Sequence, residues 1–186
     1  MQLEKKERMA LGSFKLKMLL LGDAAVGKTS LIKQYIKGSF AKDYKMTIGT
    51  DIFTKDVVTP EHTITLSIWD IAGQDRFKFF RQSFYRGASG AMVVFDLTRY
   101  PTFNPNVVNW LKELWGFTGR IPVVLIGNKV DLADLRNVKQ ADVQAFSDKI
   151  PCKYIETSAK TGAAVDQSFY ELAQSMLDKM LTPPGT

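Results

Sequence analysis

Short apolar runs alternate with amphipathic stretches along most of the chain. Strands are predicted at Phe14–Leu21, Met92–Phe95, Val123–Ile126 and Lys153–Glu156, and helical periodicity lies between and after them. A strand that is followed by a helix and then by another strand is typical of a parallel sheet covered by helices on both faces. The pattern therefore indicates an α/β domain.

Four segments have the spacing of amphipathic helices: Ser30–Lys37, Val107–Leu114, Val138–Lys149 and Ala164–Met180. The last of them is the clearest. Its apolar face consists of Val165, Phe169, Leu172, Ala173 and Met176. Because a stripe of this width needs an apolar partner, we expect this helix to pack on one face of the sheet.

Two partly alternating segments, Ile52–Val58 and Thr63–Trp69, are separated by the turn signal Thr59–His62 and predict an antiparallel hairpin. His62 is the only histidine and has no partner for a metal or a nucleophile nearby, so we expect no functional role for it. The hairpin and the four other strands add up to a six-stranded, mostly parallel sheet. We predict a three-layer α/β domain with about five helices.

Composition places this domain among ordinary soluble proteins. The chain has 186 residues, a formal net charge of +6 and one cysteine, Cys152, which is expected to be a small buried residue at the start of a strand. No apolar run reaches the roughly 18 residues that span a bilayer. We divide the chain into an N-terminal extension (1–13), one domain (14–180) and a flexible tail (181–186).

The N-terminal part of the chain is basic. The first 17 residues contain only two acidic residues, Glu4 and Glu7, against five basic ones: Lys5, Lys6, Arg8, Lys15 and Lys17. Such a segment can touch an anionic membrane or a nucleic acid. The two acidic residues interrupt it, so we expect a solvated extension, no nucleic-acid partner and no strong membrane anchor.

The segment Gly22–Thr29 matches the phosphate-loop pattern G-x-x-x-x-G-K-[ST] and has the required strand before it and helix after it. Its backbone N–H groups and the helix N-terminus can bind phosphate oxygens. Lys28 would reach the β- and γ-phosphates, and the Thr29 hydroxyl would ligate Mg²⁺. The residues expected to contact the nucleotide here are Ala24, Ala25, Val26, Gly27, Lys28, Thr29 and Ser30.

Two further segments at strand ends select the base. Asn128-Lys129-Val130-Asp131 follows one strand, and the Asp131 carboxylate can accept hydrogen bonds from the N1–H and the exocyclic amine of guanine. Adenine lacks this donor pair and would leave the carboxylate unpaired. The second segment, Glu156–Lys160, follows the last strand. The predicted base contacts are Asn128, Lys129 and Asp131 in the first segment and Ser158, Ala159 and Lys160 in the second.

These motifs, in this order, resemble the Ras superfamily of small GTPases over about residues 14–180. The segment Asp70-Ile71-Ala72-Gly73-Gln74 is similar to the D-x-x-G-Q element of that family. The resemblance implies that Asp70 holds Mg²⁺ through water, that the Gly73 amide binds the γ-phosphate and that Gln74 orients the attacking water. It also implies that Thr47 binds Mg²⁺ and the γ-phosphate in the GTP state. The family's aromatic contacts with the base and the phosphates correspond to Phe40 and Tyr44.

Within the superfamily the chain is most similar to the Rab branch, through Thr47–Gly49, Trp69–Phe77 and Phe84–Ala88. It departs from that branch at two positions. Ile52 replaces one member of an aromatic triad that also includes Trp69 and Phe84, and Ile71 replaces a threonine. The tail 181–186 has no cysteine to accept a prenyl group. Either a lipidated tail has been removed, or the protein is not prenylated.

The resemblance implies a Rab-like molecular switch that binds GTP or GDP with Mg²⁺ and hydrolyses GTP slowly, with Gln74 and Lys28 as catalytic residues. Exchange factors, activating proteins and effectors would bind around Thr47 and Gln74, and a role in membrane trafficking follows. The expected location is cytoplasmic, peripheral to membranes where a tail or a partner recruits the protein. The alternative, suggested by alanines at positions 24 and 25, is a module that holds GTP and barely hydrolyses it. A P-loop kinase that uses ATP is disfavoured by Asn128 and Asp131.

Overall fold

Within the described residues, the sheet has six strands and a single antiparallel pair. The structure, a computed structural model, describes residues 12–40, 47–74 and 78–182. The strands are β1 (Gly12–Leu21), β2 (Thr50–Val58), β3 (His62–Ile71), β4 (Gly90–Asp96), β5 (Val123–Asn128) and β6 (Lys153–Thr157). They are ordered β2-β3-β1-β4-β5-β6, with β2 antiparallel to β3 and all other neighbours parallel. The predicted six-stranded, mostly parallel sheet is confirmed.

Helices connect the parallel strands. They are α1 (Lys28–Lys37), α2 (Lys78–Tyr85), α3 (Tyr100–Phe103), α4 (Asn106–Thr118), α5 (Gln140–Ser147) and α6 (Val165–Leu181). Five of them have eight residues or more, as predicted, and α3 is a single turn, in the part of the chain that the structure describes. None of the helices in that part is long and apolar enough to cross a membrane.

Two apolar cores, one on each face of the sheet, complete the three layers. On one face Phe169 of α6 is fully buried and stacks on Tyr35 of α1 with ring centroids 3.9 Å apart. On the other face Trp110 and Leu114 of α4 and Val143 of α5 belong to a second core. The predicted apolar stripe of the last helix is confirmed, because its members lie in the first core.

Helix α2 was not predicted from the sequence pattern. Its buried positions are Arg81 and Tyr85, which are one helical turn apart, whereas Phe79 and Phe80 are 85% and 61% exposed. A helix that buries an arginine and exposes phenylalanines reverses the apolar periodicity by which helices are recognised. This reversal indicates that Arg81 has a specific partner in the interior.

Three boundaries differ from the prediction. The helix expected at 138–149 spans only Gln140–Ser147, because the N–H of Val138 donates a hydrogen bond to the Leu97 carbonyl and holds that residue outside the helix. His62 begins β3 and is not part of the turn. Cys152 was predicted to be buried at a strand start; it lies one residue before β6 and is half-buried, packed against the second core.

Candidate nucleotide-binding site

The predicted motifs meet at one edge of the sheet. The parallel strands β1, β3, β4, β5 and β6 all end there, and each motif lies in the loop that follows one of them. Ligands of such sheets bind outside the carboxyl ends of the strands. The fold therefore brings the three predicted base and phosphate segments together.

The phosphate loop between β1 and α1 depends on two glycines. Gly22 and Gly27 have φ angles of +134° and +104°, which favour glycine. A Cβ at Gly22 would lie 2.1 Å from the Val94 carbonyl oxygen, and one at Gly27 would lie 2.2 Å from Nδ2 of Asn128. The loop is therefore packed against both β4 and the base segment. Ala25 also has a positive φ, +61°, which is an uncommon conformation for alanine.

Lys28 is buried at the N-terminus of α1. Its ammonium group donates hydrogen bonds to the carbonyls of Gly22 and Asp23, at 2.7 and 2.9 Å. Burial lowers the pKa of Lys28 to about 8, while the charges of Asp70 and Asp23 act in the opposite direction. The ammonium group is thus desolvated and held inside the loop, where it is available to an anion.

Three oxygen-bearing side chains converge beside Lys28. The hydroxyl groups of Thr29 and Thr47 lie 2.9 Å apart. Both also contact Oδ2 of Asp70, with Thr29 as the closer donor and Thr47 at 3.4 Å. They come from α1, from the segment before β2 and from β3. The three residues predicted to serve Mg²⁺ are therefore adjacent.

The environment of Asp70 fits a hard cation. Asp70 is fully buried, and its Oδ1 has no hydrogen-bond partner among the described residues. Burial raises its pKa, and hydrogen bonds from Thr29 and the charge of Lys28 counteract that rise only in part. Mg²⁺ prefers such oxygen ligands and is usually held by one or two carboxylates. No cluster of three or more His, Cys, Asp or Glu residues offers an alternative site in the described part of the chain.

Gly73, after β3, lies directly against the phosphate loop. A Cβ at this position would approach the Gly22 carbonyl oxygen to 2.2 Å and the Ala24 nitrogen to 2.7 Å. Only glycine fits such a contact without a backbone shift. The next residue, Gln74, accepts a hydrogen bond on its backbone carbonyl from Nη1 of Arg81 at 3.2 Å.

Asn128 joins the phosphate loop to the base segments. Its Nδ2 donates to the Val26 carbonyl at 2.9 Å, and its Oδ1 accepts from the Thr157 hydroxyl and the Ala159 N–H, both at 3.2 Å. The hydroxyl of buried Ser158 donates to Oδ1 of Asp131 at 2.6 Å. The hydrogen bond from Ser158 holds the Asp131 carboxylate in one orientation before any ligand binds.

Two residues of the site were missed from the sequence, Asp96 and Arg99. Lys129, with a φ of +72°, places its ammonium group 2.6 Å from Oδ2 of buried Asp96. Burial raises the pKa of Asp96, but hydrogen bonds from Lys129, Thr98 and Arg99 outweigh it and hold that pKa below its usual value. Arg99 also donates to the Ala24 carbonyl at 3.0 Å. The position of Asp96 at the carboxyl end of β4 was the available signal.

The remaining predicted residues are more peripheral. Phe40 is 41% exposed and Lys160 is exposed, so neither side chain is part of the core. Tyr44 lies outside the described residues. Glu156, in the last base segment, is bound by both terminal nitrogens of Arg136, at 2.8 and 2.5 Å, and by the Tyr154 hydroxyl. Its carboxylate therefore supports the end of β6.

The chain is similar to the Ras family and to individual Ras-related proteins. The sequence model of the Ras family matches residues 17–178. The Ras-related protein RABD2a of Arabidopsis thaliana is 38% identical over 170 residues, which cover 91% of this chain and 83% of that protein. The Ras-related protein Rab11B of Nicotiana tabacum is 40% identical over 157 residues, which cover 84% of this chain and 72% of that protein. The Ras-related protein RIC1 of Oryza sativa is 39% identical over 171 residues, 91% of this chain and 84% of that protein.

Proposed function

Because the chain belongs to the Ras family and is a Rab-like small GTPase, we propose that it binds GTP and GDP with Mg²⁺, hydrolyses GTP to GDP and phosphate, and acts as a switch in membrane trafficking. The observation that carries this proposal is the arrangement around Lys28. A buried ammonium group, two threonine hydroxyls and an incompletely bonded buried carboxylate, that of Asp70, lie together at the edge that also holds the base segments.

Guanine selection rests on Asp131. Its carboxylate is held by Ser158, so it does not need to reorganise when it accepts hydrogen bonds from guanine N1–H and the exocyclic amine. The Ala159 N–H already bonds to Asn128, which keeps the loop after β6 in place beside the base. Adenine would leave Asp131 desolvated and unpaired, which opposes its binding.

The phosphates occupy the loop between β1 and α1. Its backbone N–H groups and the N-terminus of α1 provide positive potential, and Lys28 exchanges its carbonyl contacts for phosphate oxygens. Thr29, Thr47 and Asp70 would hold Mg²⁺, directly or through water, and the bound ion neutralises charge on the phosphates.

Hydrolysis proceeds by in-line attack of a water molecule that Gln74 orients. The Gly73 amide and Lys28 stabilise the charge that builds on the γ-phosphate. Neither the phosphate loop nor the Thr47 segment supplies an arginine to that charge. We therefore expect rapid hydrolysis to need an activating protein.

The switch consists of the two segments that approach the γ-phosphate position. Thr47 reaches the Asp70 cluster and Gly73 packs on the phosphate loop, so both are held by contacts at that point. Loss of the γ-phosphate would release them. A partner that contacts these segments would distinguish the two nucleotide states.

An effector would bind the face formed by Ile52, Trp69 and Phe84. Ile52 is paired with Trp69 across the β2–β3 ladder, and the rings of Trp69 and Phe84 are 6.1 Å apart. Ile52 is 53% exposed. This face joins both switch segments, and an aliphatic side chain replaces an aromatic one there, so its effectors should differ from those of proteins with the full aromatic triad.

The proposal is tested by nucleotide analysis and single-turnover kinetics. Purified protein should carry guanine nucleotides, and its intrinsic GTP hydrolysis should be on the order of 10⁻⁴ to 10⁻³ per second. Gln74→Leu should slow hydrolysis by roughly tenfold or more, or about 1.4 kcal/mol of barrier. GTP affinity should hardly change, because Gln74 acts mainly in the transition state.

A second candidate function is a module that holds GTP without hydrolysing it. Ala24 lines the same cavity as Gly73 and Gln74, which motivates the hypothesis that its methyl group crowds the Gln74 side chain. If crowding limits the reaction, replacement of Ala24 and Ala25 by glycine should accelerate hydrolysis. A parent protein without measurable hydrolysis, and indifferent to Gln74→Leu, would establish this second function and exclude the first.

A further inference from the structure

A cavity of about 930 Å³ lies beside the phosphate loop, between α2 and α4. Gln74 and Ala24 form part of its wall, and the side chains of Arg81, Trp110 and Glu113 form another part. The nucleotide contacts described above do not involve these last three residues. Their arrangement nevertheless connects Gln74 to the phosphate loop.

Arg81 is the centre of this arrangement. Its side chain is 3% exposed, and its Nε and Nη2 donate to the two carboxylate oxygens of Glu113, both at 3.1 Å. The Tyr85 hydroxyl donates to the same carboxylate at 2.7 Å. The remaining terminal nitrogen of Arg81 donates to the Gln74 carbonyl. The planar fork of the guanidinium thus binds a carboxylate and a backbone carbonyl simultaneously.

Trp110 extends the connection to the phosphate loop. The Arg81 guanidinium lies over its ring, 4.3 Å from the centroid. The indole N–H of Trp110 donates to Oδ1 of Asp23 at 2.9 Å, and Nδ2 of Asn106 donates to Oδ2 at 2.6 Å. Asp23 is the second residue of the phosphate loop. Both of its carboxylate oxygens are therefore bound by α4.

The anchors share one face of α4. Asn106, Trp110 and Glu113 are separated by four and three residues, which places them in one stripe along the helix. The first two hold the phosphate loop, and the third holds Arg81 and, through it, Gln74. A single rigid helix therefore sets the distance between the loop that binds phosphates and the backbone of Gln74.

Burial of an arginine is costly unless its donors are satisfied, and a well-packed apolar residue would often stabilise a core equally well. Packing alone therefore does not account for Arg81. An apolar residue could not donate the hydrogen bond that the guanidinium makes to the Gln74 carbonyl. Gln74 directly follows Gly73, which lies against the phosphate loop, so this bond acts on a segment that is next to the phosphate site. Thr47 reaches the neighbouring Asp70 cluster.

We infer that Arg81 is a positioning residue for Gln74: anchored on α4 by Glu113 and Trp110, it holds the Gln74 backbone carbonyl and keeps that residue beside the phosphate loop. The inference rests on the proposed GTPase function. Arg81 acts through Gln74, since its side chain donates hydrogen bonds to Glu113 and to the Gln74 carbonyl. Its removal lets the Gln74 peptide move, which lowers the fraction of time that the side chain is in position to orient the attacking water.

The test is a double-mutant cycle in single-turnover GTP hydrolysis. Arg81→Met should slow hydrolysis by about three- to tenfold, because small displacements of a positioned group are costly in rate. GTP and GDP affinities should stay within about twofold. In a Gln74→Leu background Arg81→Met should have no further effect on the rate, since residues that act as one unit are not additive.

Arg120→Met is the matched control. The guanidinium of Arg120 also lies over a tryptophan ring, 4.1 Å from the centroid of Trp115, but Arg120 is exposed and follows the C-terminal end of α4. The Arg120→Met substitution therefore removes the same charge and the same kind of stacking as Arg81→Met. Hydrolysis by Arg120→Met should equal that of the parent protein.

A second variant covers the case in which Arg81→Met does not fold, because it leaves Glu113 without its cation. Glu113→Gln keeps the shape and avoids an unpaired buried carboxylate, yet loosens the fork that orients Arg81. It should slow the parent and leave the Gln74→Leu rate unchanged. Equal slowing in both backgrounds, or no slowing in the parent, would overturn the inference.

A different result would contradict the proposed function itself, namely equal rates of hydrolysis by the parent and by Gln74→Leu.

Discussion

The hydroxyl oxygens of Thr29 and Thr47 lie 2.9 Å apart, and both contact the same carboxylate oxygen of Asp70. One threonine belongs to the first turn of α1, the other to the segment that precedes β2. Their contact closes a cluster of hard oxygen ligands in which the other Asp70 oxygen has no hydrogen-bond partner among the described residues. This cluster is where we expect Mg²⁺ to bind.

Thr29→Asn should weaken Mg²⁺ and GTP binding more than GDP binding. The hydroxyl would be lost next to the ion that serves the γ-phosphate, and the larger amide would displace Thr47 or Asp70. Nucleotide affinities measured by fluorescence titration with and without Mg²⁺ check this expectation. Thr29→Ser retains the hydroxyl and should resemble the parent. Equal losses for GTP and GDP in Thr29→Asn would argue against the assigned role.

Asp131→Asn should change the base preference from guanine to xanthine. The amide offers a donor where the carboxylate accepted, which suits the carbonyl that xanthine has in place of the amine. Competition between GTP and XTP for the purified variant measures the change. The control is Asp134→Asn, an exposed residue in the short 3₁₀ helix Ala133–Leu135, which should retain GTP preference. If Asp131→Asn prefers GTP by the parent's margin, the base contact is misassigned.

Cys152 should react slowly with alkylating reagents in the native protein. Burial raises the pKa of its thiol to about 11, with the charge of Arg120 acting in the opposite direction, so little reactive thiolate exists near pH 8. The alkylation rate should rise with pH up to about 11 and be much faster after denaturation.

The stability effect of this cysteine has a definite sign. Because its pKa is raised on folding, the folded state binds more protons between the ordinary thiol pKa of about 8.5 and 11. The Cys152 contribution to stability is complete below this window and decreases as pH rises through it. Cys152→Ser should flatten that part of the pH–stability profile, measured by urea unfolding. An identical slope in parent and variant would contradict the expectation.

Phe169→Ala should lower the free energy of unfolding by about 3–5 kcal/mol, the usual cost of removing a fully buried aromatic ring. The ring is completely inaccessible and stacks on Tyr35 at an interplanar angle of 4°. Denaturant unfolding checks the value. Tyr170→Ala, at the next position of α6, removes a ring that is 40% exposed and should cost much less. Similar losses for the two variants would show that exposure at this helix does not decide stability.

Much of the fold and the site was predictable because the relevant signals are local. The apolar stripe of α6 and the strand β5 are properties of consecutive residues, and the phosphate-loop pattern lies within eight positions. The alternation of strands and helices then places every motif at one edge of the sheet without knowledge of any side-chain contact. Helix α2 was not predicted from the apolar periodicity, because Arg81 occupies a buried position where that periodicity requires an apolar residue.

The sequence by itself determined the class of fold and predicted which segments bind the phosphates and the base, because each of these depends on residue type and spacing within a short stretch. Only the tertiary structure decided that Arg81 meets Glu113 across 32 positions and that Trp110 meets Asp23 across 87. A guanidinium or an indole can bond to many acceptors, and its partner is selected by which surfaces the folded chain brings within about 3 Å. The connection of Gln74 to the phosphate loop through α4 arises from that selection.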